Sequence, residues 1–402
     1  MDVQPDTDPA MVLFSPDAAD EPHKPYRHLL EQCPVARSDN GSISGAAGAS
    51  VLISRFEDLN WALKHPEFIS SEDAVAIGND RPLIPLQIDP PEHAKYRRLL
   101  DPEFSPKKMA ALEPDFRVLV NQVIDQFLDR GECDFHEDFA TPLPSTFFLR
   151  LTALPLSDLP VFLQWRDNII RPDVEPGDFD AAAEIRAATG KEIYAYFERA
   201  LDDRTAQRDH GLLSRLLDAE IEGHSLTREE LLDICYLLII AGLDTVTATL
   251  DCMIHFLARH PDERRRLVED PTLSPVVVEE LMRFETPVMV TARTVKQDVT
   301  LGDVELRAGD NVTLVLGAGN IDAEEFREPE TVDFDRGRNR HLAFGAGPHR
   351  CLGSHLARLE VRVALEEWHR RIPDYRIPDG AEFHFSPGIR QTDTLPLVFG
   401  SG

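Results

Sequence analysis

Residues 227–260 are expected to form one long helix through the centre of the fold. Thr227 and Glu230 form a capping box, in which the hydroxyl and the carboxylate satisfy free backbone amides of the first turn. About 33 residues at 1.5 Å per residue give a rod of roughly 50 Å, which Pro261 ends. The middle of this helix, LLIIAGL, is apolar on every side. Neighbouring elements are therefore expected to surround it.

Helical periodicity also dominates the rest of the chain. It covers residues 56–65, 93–100, 106–129, most of 134–217, 262–269, a segment from Ser274 onward, and 352–372. Residues 47–55 have the composition of a strand, and residues 299–316 alternate like a hairpin of two or three strands with a turn at 308–310. The pattern predicts a mainly α protein with a small β portion.

The acidic, Pro-rich residues 1–24 are expected to be an irregular lead-in. The sequence shows no linker, low-complexity tract or internal repeat after them. Residues 25–402 are therefore expected to form a single domain.

Composition limits the classes of partner and the location. The net charge of −29 and the pI near 4.8 disfavour binding to nucleic acid and to anionic membranes. Five scattered cysteines without a C-x-x-C pair indicate reduced thiols. The N-terminus lacks the pattern of a signal peptide, and the longest apolar run, 234–243, is shorter than the about 20 residues of a spanning helix. We expect a soluble, cytoplasmic protein without membrane insertion.

Cys351 lies where a Gly-rich loop meets the start of a predicted helix. Free amides and the positive end of the helix dipole are expected to lower the pKa of a thiol there, which suits a soft thiolate ligand. A dinucleotide fingerprint fails because Arg350 replaces its last glycine, and a zinc site lacks further ligands at regular spacing. A nucleophilic cysteine remains an alternative at this stage.

The same segment resembles the signature F-G-x-G-x-H-x-C-x-G of the cytochrome P450 haem-thiolate monooxygenases. All six fixed positions are present, namely Phe344, Gly345, Gly347, His349, Cys351 and Gly353. The resemblance extends over about residues 47–397. It implies the P450 fold, with the long central helix over haem b (iron protoporphyrin IX) and the Cys loop beneath it. Cys351 would be the axial thiolate ligand of the iron.

The central helix contains a second match, A-G-L-D-T at residues 241–245. A glycine within a helix costs ~1 kcal/mol relative to alanine, a buried aspartate needs a partner, and a threonine hydroxyl can replace a backbone bond. A local distortion is therefore expected here. The resemblance implies that Ala241 borders the haem, that Thr245 holds water and dioxygen, and that Asp244 relays protons.

Other matches imply supporting residues. Glu280 and Arg283 fit the E-x-x-R motif of the family, which engages an arginine of the polar meander that follows it, here residues 320–342. Arg336 matches by its distance from Phe344, although Arg338 and Arg340 are close by. The resemblance also assigns His93, Arg97, Arg293 and His349 to the haem propionates, with Arg307 an alternative to Arg293.

The chain contains no flavin or iron–sulfur module, so electrons are expected from a separate ferredoxin and its NAD(P)H reductase. Residues 336–371 have eight arginines against three glutamates, a local excess that would steer an acidic electron carrier. The expected reaction inserts one oxygen atom of O2 into a hydrophobic small molecule. A peroxide-driven peroxygenase and a non-enzymatic haem sensor remain alternatives.

The substrate itself is not evident from the sequence. Its contacts are expected from residues 70–91, 142–186 and 288–291 and from the residues before Gly242. Residues 287–290 are expected to form an apolar wall.

Overall fold

Helices provide most of the regular structure. The computed structural model describes residues 8–14, 16–38, 50–72, 74, 77–175 and 178–400. The α-helices are Pro9–Leu13, Pro16–Asp20, His23–Gln32, Phe56–Ala62, Glu92–Leu100, Pro106–Ile124, Pro142–Thr152, Leu159–Ile170, Phe179–Ala206, Leu212–Leu217, Arg228–Leu243, Thr245–Arg259, Pro261–Glu269, Ser274–Glu285, Leu316–Gly319 and Ser354–Arg371. Short 3-10 helices cover Asp101–Phe104, Leu128–Arg130, Leu156–Asp158 and Pro271–Leu273, and a single π-helical turn covers His136–Ala140.

The strands form a small part of the fold. The five-stranded sheet has the order Val35–Ser38, Ser50–Ile53, Asn311–Leu314, Thr291–Val295 and Ile69–Ser70. Only its second and third strands pair in parallel. A three-stranded sheet joins Tyr375–Arg376, Pro396–Phe399 and Glu132–Asp134, and two hairpins pair Glu220–Ile221 with His224–Ser225 and Val299–Leu301 with Val304–Leu306. The predicted class, mainly α with a small β portion, is confirmed.

The hairpin prediction for residues 299–316 is correct only in part. The predicted turn at residues 308–310 is present, with a φ of +93° at Gly309. The two paired strands of the hairpin are joined by a different, tighter turn at Gly302, where φ is +56°. The third predicted strand, Asn311–Leu314, leaves the hairpin and pairs within the five-stranded sheet. Alternation along one strand does not specify its partner, which explains the difference.

The lead-in predicted to be irregular contains two helices of five residues, Pro9–Leu13 and Pro16–Asp20. Asp8 caps the first of them by accepting a hydrogen bond from the amide of Ala10 over 2.9 Å. Elements this short contain too few apolar positions for a period to be visible. Residues 1–7 lie outside the described residues, as do 47–49 of the predicted strand at 47–55.

The central helix is interrupted at Asp244, between Arg228–Leu243 and Thr245–Arg259. The capping box of Thr227 and Glu230 is present. By length and composition Arg228–Arg259 could cross a membrane, but 67% of its most apolar window is buried within the protein. The second half packs against Ser354–Arg371, the helix that follows Cys351. The interrupted region and the Cys loop thus belong to neighbouring parts of one core.

Candidate active site

The loop before Cys351 is fixed by its own backbone. The amide of Cys351 donates to the carbonyl oxygen of Phe344 over 2.9 Å. Gly345 and Gly347 have φ values of +65° and +67°, which side chains rarely adopt. A Cβ atom on Gly347 would lie 2.2 Å from the carbonyl oxygen of Leu63. Glycine is therefore required at Gly347 for both conformation and space.

The thiol of Cys351 lies beside the start of the helix Ser354–Arg371, whose N-cap is Gly353. The residue as a whole is accessible to solvent. Protein atoms nevertheless surround the sulfur closely, and burial raises the pKa of the thiol. The Gly353 amide and nearby arginine charges oppose this effect without overcoming it. The lowered pKa predicted from the sequence is thus wrong for this structure, because the sequence did not reveal the burial.

The structure brings His93 and His349 together. Their ring centroids lie 4.3 Å apart. Nε2 of His349 lies 3.0 Å from Oγ of Ser71 and 3.2 Å from Oδ1 of Asp89. His93 is only 2% exposed, and its Nε2 atom has no hydrogen-bond partner among the described residues. A buried ring nitrogen of this kind normally has a partner.

Arg293, like His93, is a buried polar residue that lacks a full set of partners. It lies in the strand Thr291–Val295 and donates only to Oγ1 of Thr291 and to the carbonyl oxygen of Ala292, over 3.0 and 2.6 Å. No carboxylate in the described part of the chain lies within ion-pair distance, and burial lowers the pKa of Arg293 to about 10. Arg307, the alternative, is exposed and pairs with Asp298 and Glu305.

Arg97 fixes the Cys loop from the helix Glu92–Leu100. It donates over 2.7 Å to the carbonyl oxygen of Arg350, the residue before Cys351. It also pairs with Asp101 over 2.8 Å. The arginine therefore contacts the loop backbone directly.

At the helix interruption at Asp244, a threonine hydroxyl bonds to a backbone carbonyl of the preceding turn, as expected from the sequence. Oγ1 of Thr245 donates to the carbonyl oxygen of Ala241 over 2.9 Å. Ala241 is exposed and Thr245 is partly exposed, whereas Asp244 is fully buried. Arg171 donates from Nη1 to Oδ2 of Asp244 over 3.1 Å and from Nη2 to Oδ1. The buried carboxylate is therefore held by a cation from the end of another helix.

Glu280 and Arg283 are both buried, with side-chain exposures of 1% and 0%. Arg283 donates to Glu280 over 2.8 Å and to three carbonyl oxygens of the meander. Arg336 donates from Nε to both oxygens of Glu280 over 3.0 Å. Arg340 instead pairs with Glu325. Of the three candidate arginines, Arg336 is the one that contacts Glu280.

Most cations of residues 336–371 are paired. The pairs are Arg336 with Glu280, Arg340 with Glu325, Arg358 with Glu279, Arg362 with Glu113 and Glu366, Arg370 with Glu367, and Arg371 with Asp125. Arg338 and Arg350 are exposed, and no described carboxylate lies within ion-pair distance of either. The cationic face is therefore smaller than the count of arginines suggests.

Sequence reasoning missed several polar residues of this region. Asp89 accepts hydrogen bonds from Ser70 and Ser71 and contacts His349, and these interactions hold the pKa of its carboxyl far below the usual range. Burial alone would raise that pKa. Arg171 was missed as well, because it lies far from Asp244 in sequence. The Asp89-Pro-Pro segment next to His93 was the one available signal.

The structure does not support the alternative of a zinc site at Cys351. The described residues contain no group of three or more His, Cys, Asp or Glu side chains able to hold a metal ion. All five cysteines are free, and burial raises the pKa of each of the other four. Cys351 is the one exposed cysteine.

Comparison with known proteins agrees with this arrangement. The profile of the family "Cytochrome P450" matches residues 176–369. Cytochrome P450 CYP107DY1 of Priestia megaterium is 32% identical over 397 residues, covering 93% of this chain and 95% of that protein. The steroid C26-monooxygenase of Mycobacterium tuberculosis is 32% identical over 391 residues, covering 95% and 94%.

Solved structures agree over the same length. Myxobacterial CYP267B1 in complex with myristic acid superposes with a TM-score of 0.87 at 31% identity, covering 97% of this chain and 99% of that one. P450BioI in complex with acyl carrier protein ligated to hexadec-9Z-enoic acid gives 0.86 at 28% identity, covering 96% and 100%. With bacterial relatives of this similarity covering nearly its whole length, several of them named as monooxygenases or hydroxylases, the chain belongs to the cytochrome P450 family of haem-thiolate monooxygenases.

Proposed function

We propose that this P450 inserts one oxygen atom of O2 into a hydrophobic small molecule, with Cys351 as the thiolate ligand of its haem. The family binds haem b through a cysteine thiolate. Cys351 is supported as that ligand because its loop is fixed by Gly347 and its sulfur is close to the Gly353 amide. This loop is the single observation on which the proposal depends most.

The residues around the loop fit a haem with two propionates. Anionic groups need cationic or hydrogen-bonding partners when they are buried. The unpartnered Nε2 of His93 and the buried guanidinium of Arg293 are groups of this kind. His93, Arg97, Arg293 and His349 would hold the propionates, while Phe344, Gly345, Gly353 and Ala241 would border the ring. Bound there, the haem would supply the activation of dioxygen.

His349 and Arg97 have protein partners already. His349 contacts Asp89 and Ser71, and Arg97 contacts the loop backbone. His349 and Arg97 would therefore have two roles, holding the propionates and fixing the loop. Asp89, which orients His349, belongs to the same arrangement.

Thr245 and Asp244 would supply protons on the other face. The hydroxyl of Thr245 is partly exposed and can present its lone pairs while donating to Ala241. Asp244 is adjacent, buried and ionically paired with Arg171. A carboxylate in this position can accept a proton and pass it on when the ion pair rearranges.

Glu280, Arg283 and Arg336 would support the Cys loop without touching the reacting atoms. Their buried network connects the helix Ser274–Glu285 to the meander before Phe344. Charge-assisted bonds to meander carbonyls fix the path of the chain into the loop.

Relatives in the family use redox partners, and we propose a ferredoxin with its NAD(P)H reductase. Arg350, within the Cys loop, and Arg338 are both exposed. With no described carboxylate within ion-pair distance of either, they would attract an acidic carrier. Replacing Arg350 with Glu should slow electron transfer and weaken its salt dependence, with the haem spectrum unchanged. An unaltered rate would place the carrier elsewhere.

A hydrophobic substrate is supported by related structures, which were solved in complex with corticosterone, testosterone, erythromycin B and myristic acid. The wall predicted at residues 287–290 needs correction. Met289 and Val290 pack in a core cluster with Tyr26 and Leu52, so Val288 is the partly exposed member. The bacterial relatives and the burial of the central helix support a soluble, cytoplasmic protein.

The proposal is tested with the haem-loaded protein, a surrogate ferredoxin and its reductase. Myristic acid and testosterone serve as probe ligands, and a shift of the Soret band from the low-spin to the high-spin position reports binding. We expect NAD(P)H consumption with oxygenated product, and peroxide release in place of product for Thr245→Ala. Failure to consume NAD(P)H with several carriers would contradict a monooxygenase.

A further inference from the structure

A buried acid–imidazole pair lies beyond Asp244 along the central helix. Nδ1 of His136 lies 2.8 Å from Oδ2 of Asp251, and their side-chain exposures are 5% and 0%. His136 begins the π-helical turn His136–Ala140, a conformation that is often found at functional sites. We call Asp251 and His136 the buried pair.

Buried polar atoms without a partner occur on Asp251 itself and on two nearby helices. Oδ1 of Asp251, Oγ of Ser145 and Nη1 of Arg166 are all buried, and each lacks a partner among the described residues. The helix with Ser145 packs on both the π-helical turn and the helix with Asp251. Buried polar groups of this kind are usually satisfied by ordered water. These three atoms point to ordered water near the buried pair.

The same cluster reaches Asp244. Asp244 and Asp251 are seven residues apart, which is two helical turns and about 10 Å on one face. Nε of Arg166 lies 3.8 Å from Oδ1 of Asp244. The pKa of His136 is raised by its bond to Asp251, and the charge of Arg166 opposes that rise. The charge of Asp244 contributes to raising the pKa of Asp251. Arg166 thus lies within ion-pair distance of Asp244 and also acts electrostatically on His136 of the buried pair.

The other side of the buried pair reaches the surface. Nε2 of His136 lies 3.9 Å from Oε1 of Glu137, whose side chain is 68% exposed. The same nitrogen lies 3.2 Å from the hydroxyl of Thr141. A surface carboxylate, an imidazole and a buried carboxyl therefore follow one another towards Asp244.

We propose that the buried pair supplies protons from the surface to Asp244. A proton from Glu137 binds Nε2 of the imidazole while the Nδ1 proton moves to Oδ2 of the aspartate. The protonated carboxyl of Asp251 then rotates about its Cβ–Cγ bond and releases this same proton to ordered water held by Ser145 and Arg166, which passes it to Asp244. The pair thus gains and loses one proton per transfer, and a tautomer change resets the ring.

Several charged groups face the buried pair. They are Glu137 and Asp134 on its own segment, Arg166 and Arg171 from the helix Leu159–Ile170 and its end, and Asp244 on the central helix. Burial raises the pKa of Asp251 to about 6, and its bond to His136 opposes this. The pair can therefore exchange protons near neutral pH. Since Asp244 is its destination, the inference rests on the proposed function.

The first test is infrared titration of the whole protein, which needs no turnover. Wild type should show a protonated carboxyl band with one component that disappears as pH rises through about 6, below the pH of about 8 at which Glu360 loses its proton. Asp251→Asn should lack the component that titrates near 6. Asp322→Asn removes another buried aspartate, which caps Phe56, and should leave the band intact. A band unchanged in Asp251→Asn would overturn the proposal.

The second test measures NADPH oxidation by the holoprotein with ferredoxin, reductase and myristic acid, in H2O and D2O. We expect Asp251→Asn to lower the rate about fivefold. This loss is smaller than the about 100-fold expected when a general acid is removed, because Asp244 and its contact with Arg171 remain. Its solvent isotope effect should rise. The dependence of its rate on pH should become flatter between pH 5 and 7, a window of about one unit on either side of the pKa of Asp251. Glu137→Gln, a surface change, should give a smaller loss in the same direction.

The outcomes separate the two proposals. Wild type that oxidises no NADPH contradicts the proposed function. If wild type oxidises NADPH, and Asp251→Asn and Glu137→Gln have the same rate, isotope effect and pH profile as wild type, only the proposed proton route is contradicted. If Asp251→Asn fails to fold, the Glu137→Gln result decides.

Discussion

Arg171 and Asp244 form an ion pair that joins the surface to the interrupted central helix. Nη1 of Arg171 lies 3.1 Å from Oδ2 of Asp244. The arginine side chain is 29% exposed, while the aspartate side chain is fully buried. The charge next to Thr245 is thus kept in the core by a cation that can reach water.

Removing that cation should destabilise the fold. Arg171→Gln leaves the buried Asp244 with Arg166 at 3.8 Å as its nearest cation. We expect the free energy of unfolding at neutral pH to fall by about 2–3 kcal/mol, because an unpaired buried charge is costly. Denaturant unfolding measures the change. Arg208→Gln, which breaks an exposed pair with Asp218, should cost about 0.5 kcal/mol or less, and equal effects would contradict the assignment.

The network of Glu280 should matter more. Glu280→Gln leaves both Arg283 and Arg336 without their carboxylate in a buried site. We expect a loss of about 3–5 kcal/mol in the free energy of unfolding, together with weaker retention of haem. Glu325→Gln breaks the more exposed pair with Arg340 and should cost about 1 kcal/mol or less. Similar losses in the two variants would argue against a special role for Glu280.

Gly347→Ala should disturb the Cys loop. The new methyl group would lie 2.2 Å from the carbonyl oxygen of Leu63, and φ is +67°. We expect a loss of about 2 kcal/mol or more in stability, since both strain and overlap must be relieved, and a reduced fraction of haem-loaded protein. Gly337→Ala meets nothing within 4 Å and serves as the control. Full haem loading in Gly347→Ala would contradict the tight packing of this loop.

Glu360 should make stability depend on pH. Burial raises the pKa of its carboxyl from 4.5 to about 8, so the folded state keeps a proton that the unfolded state loses. The contribution of this carboxyl to stability is lost as pH rises from 4.5 to 8, because at Glu360 the folded state binds more protons than the unfolded state across that window. Glu360→Gln, a neutral mimic, should match wild type near pH 4 and exceed it at pH 8 by about 2 kcal/mol or more. Parallel stability curves for the two proteins would show that the carboxyl is ionised in the core.

Local patterns predicted much of this protein. The loop from Phe344 to Gly353 and the capping box at Thr227 depend on residues close in sequence, so their geometry follows from local chemistry. The distortion at Thr245 was foreseen for the same reason, because its hydroxyl bonds a carbonyl four residues away.

Contacts between distant segments could not be predicted. Arg171 is 73 residues from Asp244 and Asp89 is 260 residues from His349, so no sequence spacing indicates either contact. The burial of individual side chains could not be predicted either. Met289 seemed suited to line a pocket but packs in the core, and the thiol of Cys351 has a raised pKa because of surrounding atoms that the sequence does not place.

The absorption spectrum of the dithionite-reduced, haem-loaded protein under carbon monoxide tests the central claim most directly. A thiolate ligand to the iron should give a strongly red-shifted Soret band, which Cys351→His should lose while retaining haem. Cys33→Ser, a change at a cysteine far along the chain, should keep the shifted band. An ordinary haem–carbon monoxide band in the wild-type protein, or a shifted band that persists in Cys351→His, would contradict the assignment of Cys351 as the axial ligand.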